Sequence, residues 1–187
     1  LGDVYKRQMD TAKEAFTRWM ETGEPDKHLQ GIDLPDVPLW AAWAIQRYSH
    51  DTDVPTARER YGELVAQLID FIIDGKHPNL QVDDNGLVRT DGTRQPMSWM
   101  DSARPDGTPL IPRTGYLVEF NALWYNALMF LLQMYADDKQ MQSRVERWQK
   151  ISDVYAESFA PTFLNDYGYL YDYVNGSYTD LSVRPNM

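Results

Sequence analysis

The sequence contains no cysteine, which excludes disulfides, thiol nucleophiles and zinc–thiolate centres and fits a reducing, cytoplasmic setting. Histidine is nearly as scarce. His28, His50 and His77 are the 3 in the chain, scattered among polar turns, so a histidine pair at metal-ligand spacing is missing. Positive charge is in deficit: 18 Lys and Arg stand against 28 Asp and Glu, for a formal net charge of −10. A chain this acidic repels phosphate backbones, which excludes nucleic acid as a partner. No apolar run approaches the roughly 20 residues that a bilayer span requires, no signal-type segment opens the chain, and no glycine-rich phosphate loop is present. Neither a metal nor a cofactor is expected.

What the chain has in quantity is aromatic surface, with 6 Trp and 12 Tyr among 187 residues. Flat faces with a polar handle are what sugar rings stack on, and they also fill large helical cores. The composition leaves both readings open.

Residues 1–8 carry no helical periodicity and read as a non-native extension, so the fold is read over 9–187 as one domain. Hydrophobic periodicity predicts five helices. The first covers about Met9 to Glu21, with Ala12, Phe16, Trp19 and Met20 on one face. A second follows Asp36, a candidate N-cap, and is apolar on most sides through Leu39, Trp40, Trp43, Ile45 and Tyr48. The third starts near Pro55, carries the stripe Tyr61, Leu64, Val65, Leu68 and Ile72, and closes at Gly75. The fourth, Val118 to Tyr135, is apolar nearly all round, and the fifth, about Gln140 to Phe159, is amphipathic again. Alternation of one-sided and all-round apolar helices is the pattern of two helical layers.

Short turns join the second helix to the third and the fourth to the fifth. Long connections, Glu21 to Asp36, Lys76 to Leu117 and Pro161 to Met187, fall together at the other end, where a site is expected. Two hairpins are predicted within them. One turns at Asp84-Asn85-Gly86 between Leu80–Val82 and Leu87–Val88; the other turns at Asn175-Gly176 after the alternating Tyr169, Tyr171 and Tyr173. The acidic turn lacks the ligand spacing of a calcium loop.

The chemistry-bearing stretch is Ser98-Trp99-Met100-Asp101, then Pro112-Arg113, then Val118-Glu119-Phe120-Asn121-Ala122-Leu123-Trp124-Tyr125-Asn126-Ala127. An aspartate behind Trp and Met has an apolar surround, which raises a carboxyl pKa as a general acid needs. Glu119 falls in the first turn of a helix, where the dipole favours its charge. An ordinary turn aspartate and a first-turn glutamate are the plain alternatives.

These segments, with Asp36-Val-Pro-Leu39-Trp40, Asp83-Asp-Asn-Gly86-Leu87, Tyr169-Leu-Tyr-Asp172 and Arg184-Pro-Asn186, resemble in order and spacing the glucosidase domain of glycogen debranching enzymes, the amylo-α-1,6-glucosidase family. The family's Thr-Trp-Met-Asp stands here as Ser98-Trp-Met-Asp101. The resemblance implies an all-α fold, about five of the twelve helices of an (α/α)6 toroid, with small β-hairpins in the long loops. It implies inverting hydrolysis of α-1,6-linked glucose in glycogen-type α-glucans, with Asp101 as general acid and the base outside this chain. Asp36, Trp40, Trp99, Arg113, Glu119 and Arg184 become candidate substrate-binding residues. Asp36 as a helix cap, Trp40 as core and Arg113 as a loop brace are the rival readings. A glucoamylase-like or trehalase-like enzyme on the same barrel, or a non-catalytic carbohydrate-binding module, are the alternative functions. The resemblance also leads us to expect a chain that is inactive alone and prone to associate through an exposed edge of the Val118–Tyr135 helix.

Overall fold

The apolar stripes read above need partners, and the chain supplies them to itself. The computed structural model describes residues 2–24 and 31–184, with side chains from residue 7 onward; His28, in segment 25–30, and Pro185 to Met187 lie outside them. The described elements are α1 (Gly2–Thr22), α2 (Asp36–Asp51), α3 (Val54–Ala57), α4 (Glu63–Ile73), α5 (Val118–Tyr135) and α6 (Gln142–Phe163). A π-helical turn, Arg58–Gly62, joins α3 to α4 without a break. The strands are β1 (Gln81–Val82), β2 (Val88–Asp91), β3 (Thr114–Leu117), β4 (Tyr173–Asn175) and β5 (Tyr178–Thr179).

Helix α5 sits at the centre. It packs against α2, α4 and α6, while α1 lies on α4. Its buried residues include Phe120, Trp124, Leu128, Phe130 and Leu131, and its exposed strip is Ala122, Met129 and Gln133. The two helices expected to be apolar all round are therefore neighbours, and Asn126 Nδ2 donates to Gln46 Oε1 at 2.8 Å between them. They differ in cover, however: α2 leaves Trp40 36% and Trp43 42% exposed, whereas the one large apolar side chain of α5 counted as exposed is Met129.

Two helix boundaries differ from expectation, and one helix carries a π turn. Helix α1 begins at Gly2, so the first residues join the helix instead of standing apart from it. Helix α6 runs on to Phe163 through Pro161. A proline near a helix end deletes a single hydrogen bond, here to Glu157, and burying Phe163 completely offsets that loss. The π turn arises where α5 comes close: a Cβ on Gly62 would lie 2.7 Å from Tyr135 Oη. Gly75, at φ +68°, ends α4 as its composition predicts.

Both hairpins form, but they are not separate. The five strands make one antiparallel sheet in the order β1-β2-β3-β4-β5, with β3 joining the two pairs. Tyr169 and Tyr171 precede the second hairpin, whose pairing begins with Val174 opposite Thr179. The first turn is pressed against α6, where a Cβ on Gly86 would meet Ile151 O and Tyr155 N at 2.8 Å. Gly86 also accepts Trp124 Nε1–H at 3.0 Å, so its lack of a side chain lets sheet and helices meet.

Candidate active site

The long connections end in one place. Asp36 closes the first of them, Asp101 and Arg113 come from the second, and Asp172 and Arg184 from the third. Glu119 joins them from the first turn of α5. Arg113 is the centre, with a fully buried side chain. Its Nη1 and Nη2 donate to Glu119 Oε1 and Oε2 at 2.6 and 2.8 Å. Its Nε and Nη2 donate to Asp172 Oδ2 and Oδ1 at 2.9 and 2.7 Å. The remaining Nη1–H faces Asp101 Oδ1 at 3.4 Å. A guanidinium has five N–H donors in a fixed fork, and here all five meet carboxylate oxygens. Burial by itself pushes the Arg113 guanidinium down, but Glu119 and Asp172 outweigh it and hold it above its ordinary value.

Each carboxylate has further support. Asp101 Oδ2 accepts the backbone N–H of Met97 at 3.2 Å and of Ser98 at 3.1 Å, within a tight turn closed by Asp101 N–H to Ser98 O. Glu119 Oε1 also accepts Ser98 Oγ–H at 3.2 Å. Asp172 Oδ2 also accepts Arg184 Nε–H at 2.6 Å. The apolar surround expected for Asp101 is thus not what it meets: its side chain is buried, but among N–H donors, while Trp99 turns outward and is 58% exposed. The sequence makes Trp and Met neighbours of Asp101 in the chain; the turn points them elsewhere.

Asp36 is not the cap of α2. The cap position is Pro35, with no side-chain hydrogen bond, and Asp36 is the first helical residue. Its Oδ2 instead accepts Trp99 N–H at 3.0 Å, tying the Ser98–Asp101 turn to α2. Burial raises the Asp36 carboxyl above its ordinary range; the Trp99 N–H opposes this and the nearby charges of Glu119 and Asp101 add to it. One helical turn beyond, Trp40 meets Trp43 edge to face at 5.6 Å and 87°. Trp40 is therefore a partly open face beside the cluster, not core. Arg113 braces its surroundings as the rival reading had it, but through carboxylates and not through loop carbonyls, and it keeps no N–H for a sugar.

Sequence reasoning missed one residue. Asp172, fully buried, was quoted within Tyr169-Leu-Tyr-Asp172 and given no role. A lone carboxylate at the end of an aromatic alternation was the available signal, since a buried charge needs a partner.

A model of the family described as amylo-alpha-1,6-glucosidase matches residues 29–187. The chain belongs to that family. Every residue of the cluster lies inside the matched range, and a glycogen-debranching, glycosidase-type domain is what membership assigns to it. No curated protein and no solved structure gives a match. No helix among the described residues is long and apolar enough to cross a membrane.

Proposed function

We propose that this chain is the acid-bearing part of an (α/α)6 glucosidase domain that hydrolyses α-1,6-linked glucose in glycogen-type α-glucans with inversion. The observation that carries the reading is the convergence of the long connections and the start of α5 on Arg113, which joins Asp101 to Glu119 and Asp172, while Asp36 ties the Asp101 turn to α2 and Trp40 and Trp99 are exposed. In this reading Asp101 protonates the glycosidic oxygen of the leaving sugar. One of its oxygens is fixed by the backbone amides of Met97 and Ser98. Its other oxygen meets, among the described residues, only the long Arg113 contact, and is the one this reading assigns to the proton transfer. Trp40 and Trp99 offer stacking faces for glucose rings, and Asp36 and Glu119 are the polar ligands this reading gives the substrate.

Inversion needs a second carboxylate about 6.5–9.5 Å from the acid, with room for a water. Glu119 and Asp172 are both clamped on Arg113, which argues against either as base, so the base is assigned outside residues 1–187. The chain alone is then a binder of α-glucosides and not a hydrolase. Titration calorimetry with isomaltose, panose and trehalose tests this. Binding of the two α-1,6-containing sugars, weakened about tenfold or more by Trp99→Ala, is the expected result. Trehalose preference would favour a trehalase-like enzyme. Glucose release by the chain alone would place the base within it, and Glu119→Gln would be the first variant to assay.

A further inference from the structure

The geometry points to Asp172 as a positioning residue for the acid, a role that rests on the glucosidase reading of the site. Arg113 approaches three carboxylates, and they do not share it equally. Glu119 holds the end of the fork and Asp172 its side, each through two short bonds. Only the fifth donor is left for Asp101, at 3.4 Å. The plane of the guanidinium is set by two forks, and one fork alone would leave it free to tilt about the Glu119 axis. Tilting changes the Nη1 contact to Asp101 and with it the direction of Oδ1. The side-on grip of Asp172 is what keeps that contact in place.

Asp172 is itself built to be immobile. Its backbone N–H donates to Asp180 O at 2.9 Å and its carbonyl accepts Val118 N–H at 3.1 Å. Val118 opens α5, so the same residue satisfies an otherwise orphaned helix N-terminal amide and the arginine beside it. Its carboxylate also takes Arg184 Nε. Arg184 does not touch Arg113's donors, so it should be dispensable for the plane of the guanidinium.

That difference supplies the control. The probe is 1-deoxynojirimycin, a basic glucose mimic, titrated by calorimetry into the chain as it stands, with the Arg Nε–H resonances followed by ¹⁵N NMR. Asp172→Asn keeps the shape but can accept only one of Arg113's N–H bonds at that edge. It is expected to weaken binding about tenfold or more and to lose the protected Arg113 Nε–H signal. Arg184→Gln removes a bond to the same carboxylate but leaves both forks, and is expected to retain the protected Arg113 Nε–H signal. A merely structural Asp172 would lower the melting temperature of Asp172→Asn and leave its affinity at the wild-type value. Should Asp172→Asn not fold, Asp172→Glu keeps the charge and shifts it by one methylene, with the same loss of affinity expected. Wild-type affinity in either Asp172 variant, or an unchanged Nε–H signal, overturns the positioning role. Failure of the wild-type chain to bind the mimic while its Arg113 Nε–H signal is present would instead count against the glucosidase reading.

Discussion

Among the described residues no ion pair reaches Asp36, yet it lies beside a cluster of carboxylates that share two arginines. Its place in the first turn of α2 returns part of the burial cost, because the helix dipole favours a carboxylate there. Burial nevertheless wins, and the folded carboxyl titrates above its unfolded value. The stability that Asp36 contributes is complete below the ordinary carboxyl value of 3.8 and is lost as pH rises through the raised folded value. Asp36→Asn keeps an oxygen for Trp99 N–H and loses the charge. The variant is expected to melt above wild type at pH 7 and to match it at pH 3.5, which thermal unfolding followed by circular dichroism can check; a lower midpoint at pH 7 would refute it. None of this was legible in the sequence. Asp-Val-Pro before a helix reads as a cap, and the backbone amide that Asp36 serves instead lies 63 residues away.

Helices α1 and α4 are pinned by His77, just past the end of α4. Its ring packs edge-on to Trp19 at 5.4 Å and to Phe71 at 6.4 Å. Its Nδ1 accepts Asn79 N–H at 3.1 Å, so Nε2 carries the proton, buried and without a partner among the described residues. Burial pushes the imidazole down to about 4 from 6.5. A base lowered on folding contributes stability that is whole above pH 6.5 and drains away as pH falls toward 4. By pH 5 the loss is about 2 kcal/mol. His77→Phe is expected to flatten the acid side of the stability curve between pH 7 and 5, as measured by urea unfolding. An unchanged acid slope in that variant would show that His77 is not the group responsible.

The elements themselves were readable to different degrees, and the reasons are local. Asp-Asn-Gly and Asn-Gly announce their turns because only residues tolerant of positive φ fit there, and Gly86 and Gly176 take φ +75° and +59°. Strand β3 was not readable. Thr114–Leu117 has no alternation to show, and it becomes a strand because β2 and β4 flank it. Asp101 and Glu119 could be picked out as site candidates from the sequence. The hub that joins them could not, since Asp172 and Arg113 meet across 59 residues.

For the molecule as a whole, the open apolar surface extends beyond where the sequence placed it. Helix α5 is covered by its neighbours and the sheet over most of its circumference, with Met129 exposed. Trp40 and Trp43 are exposed side by side on α2, and Trp99, Tyr167, Tyr169 and Tyr178 are exposed in the connections. Contiguous apolar patches on soluble monomers are small as a rule, and two adjacent indoles make a sticky one. Sedimentation velocity is expected to show self-association rising with concentration, reduced in Trp43→Gln. A clean monomer across the micromolar to hundred-micromolar range would contradict this.

The charge cluster also dictates an order of assembly. Helices and hairpins can form from neighbours in the chain, but Arg113, Asp172 and Arg184 meet only once the last β-hairpin has docked against the start of α5. Before docking, each charge is hydrated and gains little from approaching the others. Contacts of this kind are absent from a transition state built on local structure, and their loss is felt in escape from the native state. Arg184→Gln should therefore leave the refolding limb of a chevron plot where it is and lift the unfolding limb. The cluster then works as a latch: it closes last, and what it governs is how long the closed molecule stays closed.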